Sequence, residues 1–233
     1  MKILPDWIKS GYLRVIEPVA SWLIARRVHP NTITVIGTLC TVVGGMIYAS
    51  GHIMTAGWFL GLTALFDVLD GTVARRTGTS SRFGAFLDSS LDRVSDGVVM
   101  GGLAVFYATS PAHHSVPMLV VCLLGLVGAF MTSYTRSRAE TLGLEMKEIG
   151  MLQRPERVVL LSAPQAFFGL TLNGWVLAAI IVLLTVTAWI TVVQRVVHVY
   201  RETTRPGLDA ARDPEVPAEA APWPRRRQAA GRP

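Results

Sequence analysis

Charge, cysteine and histidine are scarce in this chain, and each scarcity excludes something. Only 16% of its 233 residues are charged, against about 25% in soluble domains. Hydrophobic residues make up 51%, and the mean hydropathy is +0.42. A soluble globular domain is therefore excluded. The two cysteines, Cys40 and Cys122, each sit inside an apolar run. They give no disulfide framework and no zinc spacing, and read as packing residues. The first residues, Met1-Lys2-Ile3-Leu4-Pro5-Asp6, lack an apolar core followed by a small-residue cleavage site, so no cleaved leader is expected. There is no internal repeat. The formal net charge is +6, but the cations are spread in a membrane-topology pattern and no nucleic-acid partner is expected.

What is present is a series of long apolar runs. The expected fold is all-α and integral to a membrane, with six transmembrane helices at roughly 33–50, 54–74, 85–108, 116–137, 157–171 and 173–194. Three of the connections, 50–55, 108–115 and 169–174, contain no Lys, Arg, Asp or Glu. The others carry Arg26 and Arg27, then Arg75, Arg76 and Arg82, then Arg136, Arg138, Lys147, Arg154 and Arg157, then Arg195. Lys and Arg gather to one side of the six-span arrangement, which predicts a multi-pass protein of the cell membrane with both termini cytoplasmic.

Residues 1–29 read as a juxtamembrane segment. Ile8, Tyr12, Val15, Ile16, Val19, Trp22 and Leu23 recur at helical spacing, broken by Lys9, Arg14 and Glu17. This predicts an amphipathic helix over 6–24 lying in the interface, anchored by Trp7 and Trp22. His29-Pro30-Asn31-Thr32 follows, with Asn31 or Thr32 as the expected helix cap. Residues 30–200 form the membrane domain. Residues 201–233 read as a disordered cytoplasmic tail, rich in Pro, Ala, Arg and Glu and without apolar periodicity.

The chemistry is concentrated in one window. Asp67 and Asp70 are three apart, and Asp88 and Asp92 four apart, so each pair shares a helix face. The stretch 76–83 between them supplies a turn, so two antiparallel helices bring all four carboxylates together at the cytoplasmic membrane boundary. Four close carboxylates repel one another and need a cation. No histidine lies in the window, so hard oxygen ligands favour two Mg²⁺ ions, or Mn²⁺, over zinc. Two metals imply phosphate chemistry. Gly71 and Gly84 remove side-chain bulk beside the acids, Ala74 is small, and Arg75 can offset the charge or bind phosphate.

These residues carry a resemblance. Asp67, Asp70, Gly71, Ala74, Arg75, Gly84, Asp88 and Asp92 match the D-x2-D-G-x2-A-R-x8-G-x3-D-x3-D pattern of the CDP-alcohol phosphotransferase family at every fixed position. The resemblance runs from about Pro30 to Tyr200. It implies that a CDP-linked lipid, CDP-diacylglycerol or an ether-lipid analogue, donates its phosphatidyl group to an alcohol with release of CMP. It also implies that Asp67, Asp70 and Asp88 are chiefly metal ligands. Asp92 would be the base, while also touching a metal. Gly71, Ala74, Arg75, Ser81 and Gly84 would line the nucleotide pocket. A homodimer is expected on the same ground.

A second region bears on the acceptor. Ser133-Tyr134-Thr135-Arg136-Ser137-Arg138-Ala139-Glu140, Gln153-Arg154-Pro155-Glu156-Arg157 and Gln194-Arg195 put several arginines on the active-site side. Such a group suits an acceptor that itself carries a phosphate. These stretches resemble the branch of the family that makes phosphatidylinositol phosphate or archaetidylinositol phosphate. There, basic residues at Arg136, Arg157 and Arg195 would hold the phosphate of inositol 1-phosphate, with Arg154 beside them. Arg136 stands where that branch often has Lys, and Gln153 where it often has Glu. Glycerol 3-phosphate is the alternative acceptor. A transporter is the remote alternative, disfavoured because the acids lie at one edge of the spans and not at the midplane.

Overall fold

The computed structural model describes residues 6–146 and 149–204. Seven α-helices follow in order: α1 Asp6–Ala25, α2 Pro30–Ala49, α3 Ile53–Thr77, α4 Arg82–Thr109, α5 Val116–Thr141, α6 Arg154–Phe168 and α7 Trp175–Thr204. A 3₁₀ turn, Thr171–Gly174, precedes α7. No strand occurs among the described residues.

Helices α2 to α7 correspond to the six expected spans, but four stretches of the described residues are long and apolar enough to cross a membrane: α2, α3, α5 and the 3₁₀ turn with α7. Helix α4 carries Asp88, Asp92, Arg93 and Asp96 between its start and its middle. Helix α6 has only 15 residues, about 22 Å at 1.5 Å per residue. It starts and stops three residues earlier than the periodicity predicts. Gln153 and Glu156 form a capping box at its start, with the Gln153 N–H donating to Glu156 Oε2 at 3.0 Å. Gly169 ends it in the left-handed region. Leu172 and Asn173 also have positive φ, which sets the turn into α7.

Glycine lets the helices approach closely. Gly45 on α2 faces Gly102 on α4, and a Cβ added at Gly102 would overlap the Gly45 carbonyl oxygen. On α3, a Cβ at Gly57 would fall 2.5 Å from the Ala166 backbone nitrogen of α6. Such small-residue seams supply packing where lipid removes the hydrophobic drive between helices. Tyr48 ties α2 to α6 by donating to the Leu161 carbonyl at 2.6 Å. Around these contacts lies a core that includes Phe106, Leu103, Leu177 and Ile181. Cys122 is fully buried within it, and both cysteines are free.

Helix α1 forms as expected. Its Ile16 and Ala20 pack with Ile33, Leu69 and Val73, so this end of α1 lies against α2 and α3. Glu17 pairs with Arg76 at 2.6 Å. Trp22 is exposed, with the Arg26 guanidinium 5.3 Å above its ring. The cap of α2 differs from expectation. His29 takes that position, its Nδ1 accepting from the Asn31 N–H at 3.2 Å. Pro30 therefore starts the helix, because its fixed φ suits the first turn. Helix α7 continues to Thr204, so residues 201–204 belong to it and not to the tail. The tail beyond 204, and the side chain of Trp7, lie outside the described residues.

Candidate active site

Two helix ends build the site. Helix α3 closes on Gly78, whose φ of 66° gives the left-handed C-cap. Helix α4 opens on Ser81, whose Oγ accepts from the Gly84 N–H at 2.9 Å. The turn is thus shorter than the 76–83 stretch suggests, and the acids of α3 and α4 come together, with Arg154 between Asp67 and Asp92. Asp67 and Asp88 stand within electrostatic reach of each other and of both Asp70 and Asp92.

Each acid has a distinct setting. Asp70 is buried; its Oδ2 accepts from Thr34 Oγ1 at 2.6 Å and its Oδ1 from the Gly71 N–H. Asp67 and Asp92 share one cation: Arg154 Nη1 lies 2.6 Å from Asp67 Oδ2 and 2.6 Å from Asp92 Oδ1. Arg93 Nη2 stands 3.6 Å from Asp92 Oδ2. Asp88 lines a cleft of about 180 Å³ together with Asp70, Gly71, Ala74, Ser81 and Gly84. That cleft gathers the expected nucleotide-binding positions except Arg75, which is exposed and donates from Nη2 to Thr72 Oγ1 at 3.4 Å. The absent side chain at Gly71 leaves room for this guanidinium, since a Cβ there would lie 3.1 Å from Arg75 Nη1.

Sequence reasoning missed several residues. Asn31, Thr34, Thr79 and Ser80 also line the cleft. Asp96, one turn beyond Asp92, stands 3.8 Å from Arg154 Nε and 3.6 Å from Arg157 Nη2. The four-residue spacing of Asp88, Asp92 and Asp96 was a signal that could have found it.

The expected acceptor-binding arginines are divided. Arg157 faces Asp96. Arg195 donates from Nε to the Ile149 carbonyl at 3.0 Å and from Nη1 to the Thr132 carbonyl, pinning the segment before α6 to α5 and α7. Arg136 is exposed and pairs with Glu140 at 2.9 Å. Arg195 is near enough to Arg136 and to Arg157 to feel the charge of each. Arg154 is engaged with the acids instead.

The acids fit a hard divalent cation by their chemistry. All donors are carboxylate oxygens on facing helices, and one cation, the Arg154 guanidinium, already sits between two of them. In this conformation no three acidic, histidine or cysteine side chains among the described residues close around one point.

A family model described as CDP-alcohol phosphatidyltransferase matches residues 27–200, and the chain belongs to that family. It is a multi-pass membrane enzyme of phospholipid biosynthesis, and the family implies dependence on a divalent metal. Among its relatives, the phosphatidylinositol phosphate synthase of Streptomyces avermitilis is 36% identical over 217 residues, covering 90% of this chain and 86% of the relative. The archaetidylinositol phosphate synthase of Methanothermobacter thermautotrophicus is 35% identical over 188 residues, covering 81% of this chain and 90% of the relative. The Mycobacterium tuberculosis phosphatidylinositol phosphate synthase with CDP-DAG bound matches with a TM-score of 0.74 at 32% identity, over 87% of this chain and 99% of that one. The same synthase in complex with manganese and citrate matches at 0.73 and 33% identity, over 86% of this chain and 93% of that one.

Proposed function

We propose that the enzyme transfers the phosphatidyl group of CDP-diacylglycerol to inositol 1-phosphate, releasing CMP. The observation that carries this reading is a row of arginines that starts at the acids: Arg157 faces Asp96, and Arg195 stands near both Arg157 and Arg136. The names of the relatives agree with it.

The cleft formed by Gly71, Ala74, Ser81 and Gly84 admits the cytidine nucleotide, whose diphosphate then reaches Asp67, Asp70 and Asp88. Asp67, Asp70, Asp88 and Asp92 would hold two divalent ions, which would supply positive charge to the diphosphate and to the departing CMP. Arg157 and Arg195, with Arg136 at the rim, hold the acceptor phosphate by charge-assisted hydrogen bonds. Asp92 takes the proton of the attacking hydroxyl. The acceptor oxygen bonds to the phosphorus bearing the diacylglycerol, the bond from that phosphorus to the CMP oxygen breaks, and CMP carries away the electron pair. The site faces the cytoplasm, α2 to α7 all cross the bilayer, α1 lies in the interface, and two copies form a homodimer.

The test is CMP release by the detergent-purified protein with CDP-diacylglycerol and Mg²⁺, offering inositol 1-phosphate, glycerol 3-phosphate, free inositol and serine in parallel. Release that depends on inositol 1-phosphate is the expected result. Release with glycerol 3-phosphate alone moves the enzyme to the alternative acceptor with the same chemistry. Chelation should stop the reaction, and added Mg²⁺ or Mn²⁺ should restore it.

A further inference from the structure

We infer that Asp96 is a positioning residue that receives the Arg154 guanidinium when a divalent metal takes Asp67 and Asp92. The inference rests on the metal site of the preceding reading.

One nitrogen of Arg154 satisfies both carboxylates, at 2.6 Å each. A divalent ion on those oxygens and a guanidinium between them are like charges competing for the same lone pairs. Metal binding must therefore displace Arg154. The displaced side chain cannot simply be left bare. It is largely buried and belongs to the first turn of α6, where the positive end of the helix dipole disfavours a cation.

Asp96 supplies the alternative. It follows Asp92 by one helical turn, is 14% exposed, and has its Oδ1 3.8 Å from Arg154 Nε. Asp96 Oδ2 and Arg154 Nε are both buried without a hydrogen-bond partner. Buried polar groups are rarely left unmatched, and here an open donor and an open acceptor belong to neighbouring side chains. Space for the movement exists in a cavity of about 50 Å³ lined by Asp67, Ser95, Asp96, Arg154 and Arg157. After the shift Arg154 stands beside Arg157, which also faces Asp96. The cation that compensated the acid cluster thus joins the arginines on the acceptor side. Metal occupancy and acceptor affinity become coupled, and by linkage each strengthens the other.

The test reads Mn²⁺ binding directly, by the paramagnetic signal of free Mn²⁺ titrated with the detergent-purified full chain. Arg154→Gln removes the competing cation and should tighten the Mn²⁺ Kd by about tenfold, the factor for a latch closed nine-tenths of the time. Arg154→Lys, which keeps the charge, should bind more weakly than Arg154→Gln. Asp96→Asn should weaken Mn²⁺ binding, and this loss should vanish in the Arg154→Gln background. Asp96→Glu should restore it. Inorganic phosphate should tighten Mn²⁺ binding in the wild type and lose that effect in Arg154→Gln. Saturable Mn²⁺ binding that Arg154→Gln leaves unchanged or weakens would overturn the latch alone. An Asp96→Asn loss that persists at full size without Arg154 would make Asp96 a distant charge and overturn its receiving role. No saturable Mn²⁺ binding by the wild type would remove the metal site itself.

Discussion

Asp92 faces a cation on each carboxylate oxygen, Arg154 at 2.6 Å and Arg93 at 3.6 Å. An Asn there keeps the shape but loses both the charge and the proton acceptor. Asp92→Asn should therefore lower turnover by about three orders of magnitude, while CDP-diacylglycerol binding, followed by nucleotide titration, survives. Full activity in that variant would remove Asp92 as the base. Arg157→Ala should raise the acceptor KM by roughly ten- to a hundredfold, the scale of a charge-assisted hydrogen bond, and leave the donor KM little changed in steady-state kinetics. An acceptor KM that does not move would take Arg157 out of the pocket. The four acids were legible because three- and four-residue spacings fix a helix face before any tertiary contact exists. The partners of the arginines were not. Arg195 holds two backbone carbonyls from α5 and the segment before α6, and no local pattern announces which carbonyls a fold will bring near a side chain.

Among the elements, α4 is the one on which packing and chemistry meet. From its start to its middle it presents Asp88, Asp92 and Asp96, and further on it presents Gly102 to α2. Gly102→Leu should drive α2 and α4 apart and destabilise the protein by about 1–3 kcal/mol, lowering the thermal midpoint in detergent. Gly101→Ala, where an added Cβ meets nothing within 4 Å, is the matched control and should leave that midpoint unchanged. Equal behaviour of the two would show that the seam does not hold the helices. The periodicity located all six helices from α2 to α7, since apolar runs and turn residues are local signals. It misjudged α6, because Val158 and its apolar followers continue past Phe168 to Leu172 and only the positive φ at Gly169, Leu172 and Asn173 breaks the run.

Across the whole molecule, the uncharged connections and the basic ones lie at opposite ends of the long helices. Single cysteines at Ser110 and at Thr79 should therefore react with an impermeant thiol reagent from opposite faces of sealed vesicles. The native Cys122 is fully buried, and Cys40→Ala removes the other background. Labelling of both positions from one side would break the six-crossing arrangement. The expectation rests on the bias of Lys and Arg alone. What composition concealed was how unequal the helices are, since the acids of α4 and the brevity of α6 leave four stretches of the described residues long and apolar enough to cross by themselves.

The shortness of α6 has a consequence for how the chain is made. A segment of 15 residues that opens on Arg154, Glu156 and Arg157 and contains Pro164 has little reason to leave an aqueous translocation channel for lipid by itself. Its partners are α3, already inserted when α6 emerges from the ribosome, and α7, which follows after a connection of six residues, 169–174. Helices α6 and α7 should therefore partition into the bilayer as one hairpin, and a nascent chain cut off before Trp175 would leave α6 stranded at the surface together with the two arginines that its first turn delivers to the acids.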